Sequence, residues 1–115
     1  MFGVSEEKIQ KWTQKGKVNK VLKAADNSKP NIRKAAISAL GELDFEESFH
    51  KLVSTLRDPD PEIRGLAAKA LGIQANPLAV EHLRHVGTND EDENVRNLAI
   101  EALKMIDVQQ DEEEI

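Results

Sequence analysis

Three eleven-residue stretches of this chain align under one another without a gap, and nothing else in it narrows the possible folds as far. They are Asn31-Ile32-Arg33-Lys34-Ala35-Ala36-Ile37-Ser38-Ala39-Leu40-Gly41, Glu62-Ile63-Arg64-Gly65-Leu66-Ala67-Ala68-Lys69-Ala70-Leu71-Gly72 and Asn94-Val95-Arg96-Asn97-Leu98-Ala99-Ile100-Glu101-Ala102-Leu103-Lys104, offset by 31 and then 32 residues. In each, a β-branched residue and an arginine precede apolar residues three, four, seven and eight positions on, which is one broad helical face. Small residues sit inside that face at equivalent places, Ala36 and Ala39, Ala67 and Ala70, Ala99 and Ala102. They allow neighbouring helix axes to approach closely.

A second amphipathic stretch lies in each unit, carrying Val18, Val21, Leu22 and Ala25, then Phe49, Leu52, Val53 and Leu56, then Val80, Leu83 and Val86. Start signals agree with this reading. Asp60-Pro61 places a capping carboxylate before a proline at the first helical position, Lys29-Pro30 keeps the proline, and Asn76-Pro77 repeats the cap. Asp44 with Glu47 approximates a capping box. Gly41 and Gly72 stand where a left-handed helix stop is wanted. No segment alternates with period two, so the chain is expected to be all-α, with about seven helices and no strands.

A helical hairpin of about 30 residues cannot bury both apolar faces alone and must stack on the next, which is the logic of a solenoid. The expected divisions are an N-terminal capping helix in 1–16, built on Ile9 and Trp12, repeats over 17–43, 44–75 and 76–107, and a disordered acidic tail over 108–115. With 115 residues, 39% of them hydrophobic but only 3% aromatic, the core must be aliphatic, and a two-domain enzyme does not fit. The absence of cysteine excludes disulfides, thiolate nucleophiles and cysteine-ligated metals. No apolar run approaches the roughly 20 residues that cross a bilayer, so the expected compartment is the cytoplasm. Net charge is −5, yet residues 1–34 sum to +6 and 35–115 to −11. Only the Lys-rich first third could supply the basic stripe that nucleic acid requires, and nucleic acid is not the expected partner.

The run Leu56-Arg57-Asp58-Pro59-Asp60-Pro61-Glu62-Ile63-Arg64, continued by Leu66-Ala67-Ala68-Lys69-Ala70-Leu71-Gly72, resembles a HEAT repeat, and is most similar to the short phycobilisome-lyase type (E-Z type). The resemblance covers about residues 17–107 and implies a right-handed α-α superhelix. It further implies an inter-repeat ladder in which a turn aspartate and an arginine six residues later link neighbouring units. The matching positions are Asn27 with Arg33, Asp58 with Arg64, and Asp90 with Arg96 if the extra residue of the third turn follows Asp90; otherwise Asn89 takes that place. The run from Glu7 to Val18 is similar to the opening of small prokaryotic proteins of this kind, and a complete chain is expected.

In the family, the helices beginning at Ile32, Ile63 and Val95 line the concave side. Their outward stripe is Lys34 with Ser38, Gly65 with Lys69, and Asn97 with Glu101, cationic at one end and anionic at the other. This stripe is the expected binding site for a protein or peptide, with Gly65 permitting close approach. Arg33, Arg64 and Arg96 read as structural ion-pair residues, and Trp12 as a packing residue of the cap. His82 and His85 share a helix face beside Glu81, but His50 aligns with Glu81 one repeat away and no third ligand is at hand. No His-Glu dipeptide of the deoxyhypusine hydroxylase branch occurs, and a DNA-glycosylase-like groove lacks its aromatics. No catalytic, cofactor or metal residue is expected. The function expected is a non-catalytic adaptor or regulatory scaffold. The alternatives are an accessory subunit of a bilin-lyase-like attachment complex and, behind it, a nucleic-acid binder. Weak dimerisation is expected if Ile100, Met105 and Ile106 stay uncovered on the last helix.

Overall fold

The computed structural model describes residues 3–114, with side chains to residue 110. Seven α-helices follow in order: α1 (Glu6–Gln14), α2 (Val18–Ala24), α3 (Pro30–Leu40), α4 (Glu46–Thr55), α5 (Pro61–Gln74), α6 (Val80–Asn89) and α7 (Glu93–Glu114), with a 3-10 turn at Pro77–Ala79 leading into α6. No strand occurs among the described residues. Among the described residues, no helix is long and apolar enough to cross a membrane.

The helices form two layers. An inner layer runs α1, α3, α5, α7, each packed on the next, and α2, α4 and α6 back α3, α5 and α7 respectively. The result is a plate 46 × 35 × 18 Å in extent. Equivalent alanines Ala36, Ala67 and Ala99 are all fully buried, and Ile32, Ile63 and Val95 lie beside them in the core. The first helix is thus more than a lid. By packing along α3 it occupies the place that an inner helix of a preceding unit would take.

Start chemistry follows the expected residues at two helices and departs from them at a third. Asp60 accepts the Glu62 N–H at 2.9 Å ahead of Pro61, and Asn76 accepts the Leu78 N–H at 2.9 Å ahead of the 3-10 turn. The anticipated capping box at Asp44 and Glu47 does not form. Extended backbone at Phe45 makes that residue the N-cap of α4, one position later, and no side chain caps the helix.

The two glycines read as left-handed stops do something else. Gly41 ends α3 in right-handed geometry, and Gly72 lies inside α5, which continues to Gln74 and stops at Ala75 with φ 56°. A Cβ on Gly41 would lie 3.0 Å from the Ala70 Cα, and one on Gly72 would lie 2.8 Å from the Ala102 Cα. Both glycines are therefore contact points at which one inner helix meets the next. The third unit carries Lys104 at this register, exposed on α7, and cannot repeat that contact.

The last helix also departs from expectation, since α7 passes Asp107 and continues to Glu114 instead of giving way to a disordered tail at residue 108. Val108, Gln109 and Gln110 contain neither glycine nor proline to stop it, and glutamine and glutamate propagate helices well. Of the three residues expected to be bare on this helix, Ile100 and Met105 are exposed, but Ile106 is fully buried. It holds the core-facing register occupied by Leu43 and Gln74 in the earlier units.

Candidate functional site

Because the apolar face of each inner helix is turned into the stack, the residues between those positions face outward together. Two grooves open there. One of about 560 Å³ lies between α1, α3 and α5, bordered by Gln10, Gln14, Ser38, Glu42, Lys69 and Ile73. The other, about 530 Å³, lies between α5 and α7, bordered by Glu62, Gly65, Leu66, Asn97, Leu98 and Glu101. Leu66 belongs to both and forms the ridge between them.

The structure brings Ser38 and Lys69 together in the first groove, and Gly65, Asn97 and Glu101 in the second. Lys34 lines neither, but its Nζ donates to Glu62 Oε2 at 2.7 Å and so ties α3 to the wall of the second groove. Gly65 is buried, contrary to the reading of it as an open point of approach. A Cβ there would meet Leu98 Cδ1 at 2.9 Å, so the absent side chain makes room for a leucine of the next unit. Leu66 and Leu98, half-buried at equivalent positions, supply the apolar walls that the polar stripe alone did not reveal. Their signal was present in the aligned triplet Ala35, Leu66 and Leu98. The contribution of α1 had no such signal, because its sequence is not a copy of the repeated segment.

The arginine series builds one strong link. Arg64 Nε and Nη2 donate to the two carboxylate oxygens of Asp90 at 2.9 and 3.0 Å, joining the second unit to the third, with both side chains largely buried. Fork-to-fork pairing of this kind is among the stronger hydrogen-bonded arrangements. It raises the Arg64 guanidinium above its ordinary value, against the opposing effect of burial. Burial pushes the Asp90 carboxyl up, but the Arg64 hydrogen bond, the Asp92 N–H and the charges of Arg64 and Arg96 together leave it below the usual carboxylate range.

Each arginine also reaches back six residues to a carbonyl of its own turn: Arg33 to Asn27 at 3.4 Å, Arg64 to Asp58 at 2.9 Å and Arg96 to Asp90 at 2.6 Å. This sets the register of the third turn on Asp90, not Asn89. Asp58 accepts from the Asp60 N–H at 2.9 Å. No ion pair joins Asp58 to Arg33 among the described residues.

On the opposite side, His82 and His85 border a hollow between α4 and α6 with Arg57, Asp58 and Asp90. His85 Nδ1 lies 3.1 Å from Asn89 Nδ2, and His50 is 3.3 Å from Glu46. Among the described residues no three His, Asp or Glu side chains converge as metal ligands. Trp12 is half-buried, with Lys20 Nζ 5.6 Å from its ring centroid.

The family model for HEAT repeats matches residues 18–104, from the start of α2 to the exposed lysine of α7. No curated protein matches the chain.

Proposed function

This chain belongs to the HEAT-repeat family, and from that premise we propose that it is a non-catalytic interaction module, an adaptor or regulatory scaffold, which docks a protein or peptide segment along its inner-helix face. HEAT repeats commonly mediate contacts between proteins. The single observation that carries the reading is the pair of grooves that meet at Leu66 on the face where Ser38, Lys69, Asn97 and Glu101 emerge. Grooves with mixed apolar and polar walls suit a chain segment that needs both burial and hydrogen-bond partners. The short period of 31 and 32 residues supports assigning the units to the phycobilisome-lyase-type variety.

The test is affinity capture from cells of the source organism with three baits: wild type, an inner-face variant carrying Lys69→Glu and Glu101→Lys, and an outer-face variant carrying Glu47→Lys and Arg84→Glu. Loss of the captured protein from the inner-face bait alone is the expected result. Retention by that bait with loss from the outer-face one contradicts the reading, and a coloured cofactor-bearing complex points instead to an attachment subunit.

A further inference from the structure

Resting on that reading of the inner face, we propose that the groove between α5 and α7 takes a cationic segment of a partner protein. Its lysines or arginines lie beside Glu62, Asp92 and Glu101, and one apolar side chain fills the slot between Leu66 and Leu98.

The walls of this groove decide the sign of its occupant. All three charged residues that line it are acids, Glu62, Asp92 and Glu101. Two have partners inside the fold: Lys34 neutralises Glu62 at 2.7 Å, and Asp92 accepts the Val95 N–H at 3.0 Å as a cap of α7. Among the described residues, Glu101 meets only Lys104, at the long distance of 3.5 Å on an exposed surface. Against them stands the partial positive charge, about half a unit each, of the two helix N-termini. Glu93, exposed between Asp92 and Asn94 at the start of α7, tips the balance further towards negative. An acidic partner would have to approach this field with no lining cation among the described residues to receive it.

The apolar part of the groove continues in one direction. Along α7, Met105 and Val108 follow Glu101 at helical spacing and are 42% and 57% exposed, and Ile73 of α5 holds the register of Met105 in the preceding unit. A fitting segment therefore carries basic residues beside Glu62, Asp92 and Glu101, one apolar residue in the slot between Leu66 and Leu98, and further apolar residues over Met105 and Val108. Glu42, at the same register in the first unit, interrupts the apolar strip on the other side.

The probe is a fluorescently labelled peptide of lysine, leucine and glycine, titrated into the full chain by anisotropy, with amide shifts recorded by NMR. Expected are binding that weakens as salt rises, shifts centred on residues 62–66 and 92–101, and at least tenfold weaker binding of a peptide lacking leucine. Glu101→Lys should weaken binding about tenfold, whereas Glu47→Lys on α4 leaves it unchanged. Gly65→Ala, which drives Leu98 into the slot, should weaken the leucine peptide more than the leucine-free one. The inference is overturned if a glutamate-for-lysine peptide binds as tightly, or if the shifts fall on α2, α4 and α6. It is equally overturned if sedimentation shows a second copy of the chain filling the groove. If a natural partner is captured through the inner face and no cationic peptide binds, the charge assignment fails and the docking reading stands; capture through the outer helices removes both.

Discussion

Replacing Gly72 by alanine puts a methyl group where α5 touches α7. The added Cβ would lie 2.8 Å from Ala102 Cα, 2.9 Å from Ala102 Cβ and 3.1 Å from Met105 Sδ. Non-bonded carbons rest at about 3.5–4.0 Å, so the two helices must part by close to an ångström along their closest line. Overpacking of that kind costs about 1–3 kcal/mol, and the upper part of the range applies because backbone atoms cannot turn aside. Alanine returns about 0.8–1.0 kcal/mol of helix propensity. The expected net loss is about 2 kcal/mol. Gly65→Ala makes a sharp contrast, since its nearest neighbour, Leu98 Cδ1 at 2.9 Å, is the free end of a flexible side chain. A rotamer adjustment costs about 0.5–1.5 kcal/mol, so gain and loss cancel to near zero. Urea unfolding followed by circular dichroism at 222 nm reads both. With a slope of about 2 kcal/mol/M, Gly72→Ala should lower the midpoint by about 1 M and Gly65→Ala should hardly move it. A Gly72→Ala midpoint at or above the wild-type value, or equal losses in the two variants, would refute the packing role assigned to Gly72.

Asp90→Asn should destabilise by about 2 kcal/mol through loss of hydrogen bonds to a charged partner. Because the folded state holds the Asp90 carboxyl below its ordinary value, its stabilisation is complete above about pH 4. It is lost as the pH falls through the lowered value, so the difference between wild type and Asp90→Asn in acid-dependent urea midpoints should shrink there; a constant difference would show that the ion pair contributes nothing. Ala75→Gly should raise the melting temperature by a few degrees, as alanine at φ 56° pays a left-handed penalty of about 1 kcal/mol; a lowered value would mean that the methyl group packs more than it strains. Ser48 is fully buried with its hydroxyl unpartnered among the described residues. Ser48→Ala should therefore stabilise by about 1 kcal/mol, and calorimetry showing a loss would place a partner on that hydroxyl.

Periodicity carried most of the architecture. Ile32, Ile63 and Val95 announced the buried face of α3, α5 and α7, because a spacing of three and four is satisfied by a helix and by little else. Glycine was ambiguous for a physical reason: it serves both where φ is positive and where a Cβ would collide. At Gly41 and Gly72 the second reason holds, and only the position of Ala70 and Ala102, contributed by later units, distinguishes the two. The helix stop at Ala75 had no signal, since alanine is the best helix former and its left-handed geometry is imposed by the turn towards Pro77. Within the candidate site, the stripe of Ser38, Lys69, Asn97 and Glu101 was legible from register. The burial of Gly65 was not, because it depends on where the Leu98 side chain turns. The groove wall supplied by α1 arises from stacking alone, which a helix outside the repeated pattern does not advertise.

That the inner layer is the binding face is tested most directly by a backbone NMR titration of the labelled full chain with its captured partner. Amide shifts should concentrate on α1, α3, α5 and α7 around Leu66, with α2, α4 and α6 quiet. Shifts confined to the outer helices, with the residues bordering the two grooves unmoved, would contradict it.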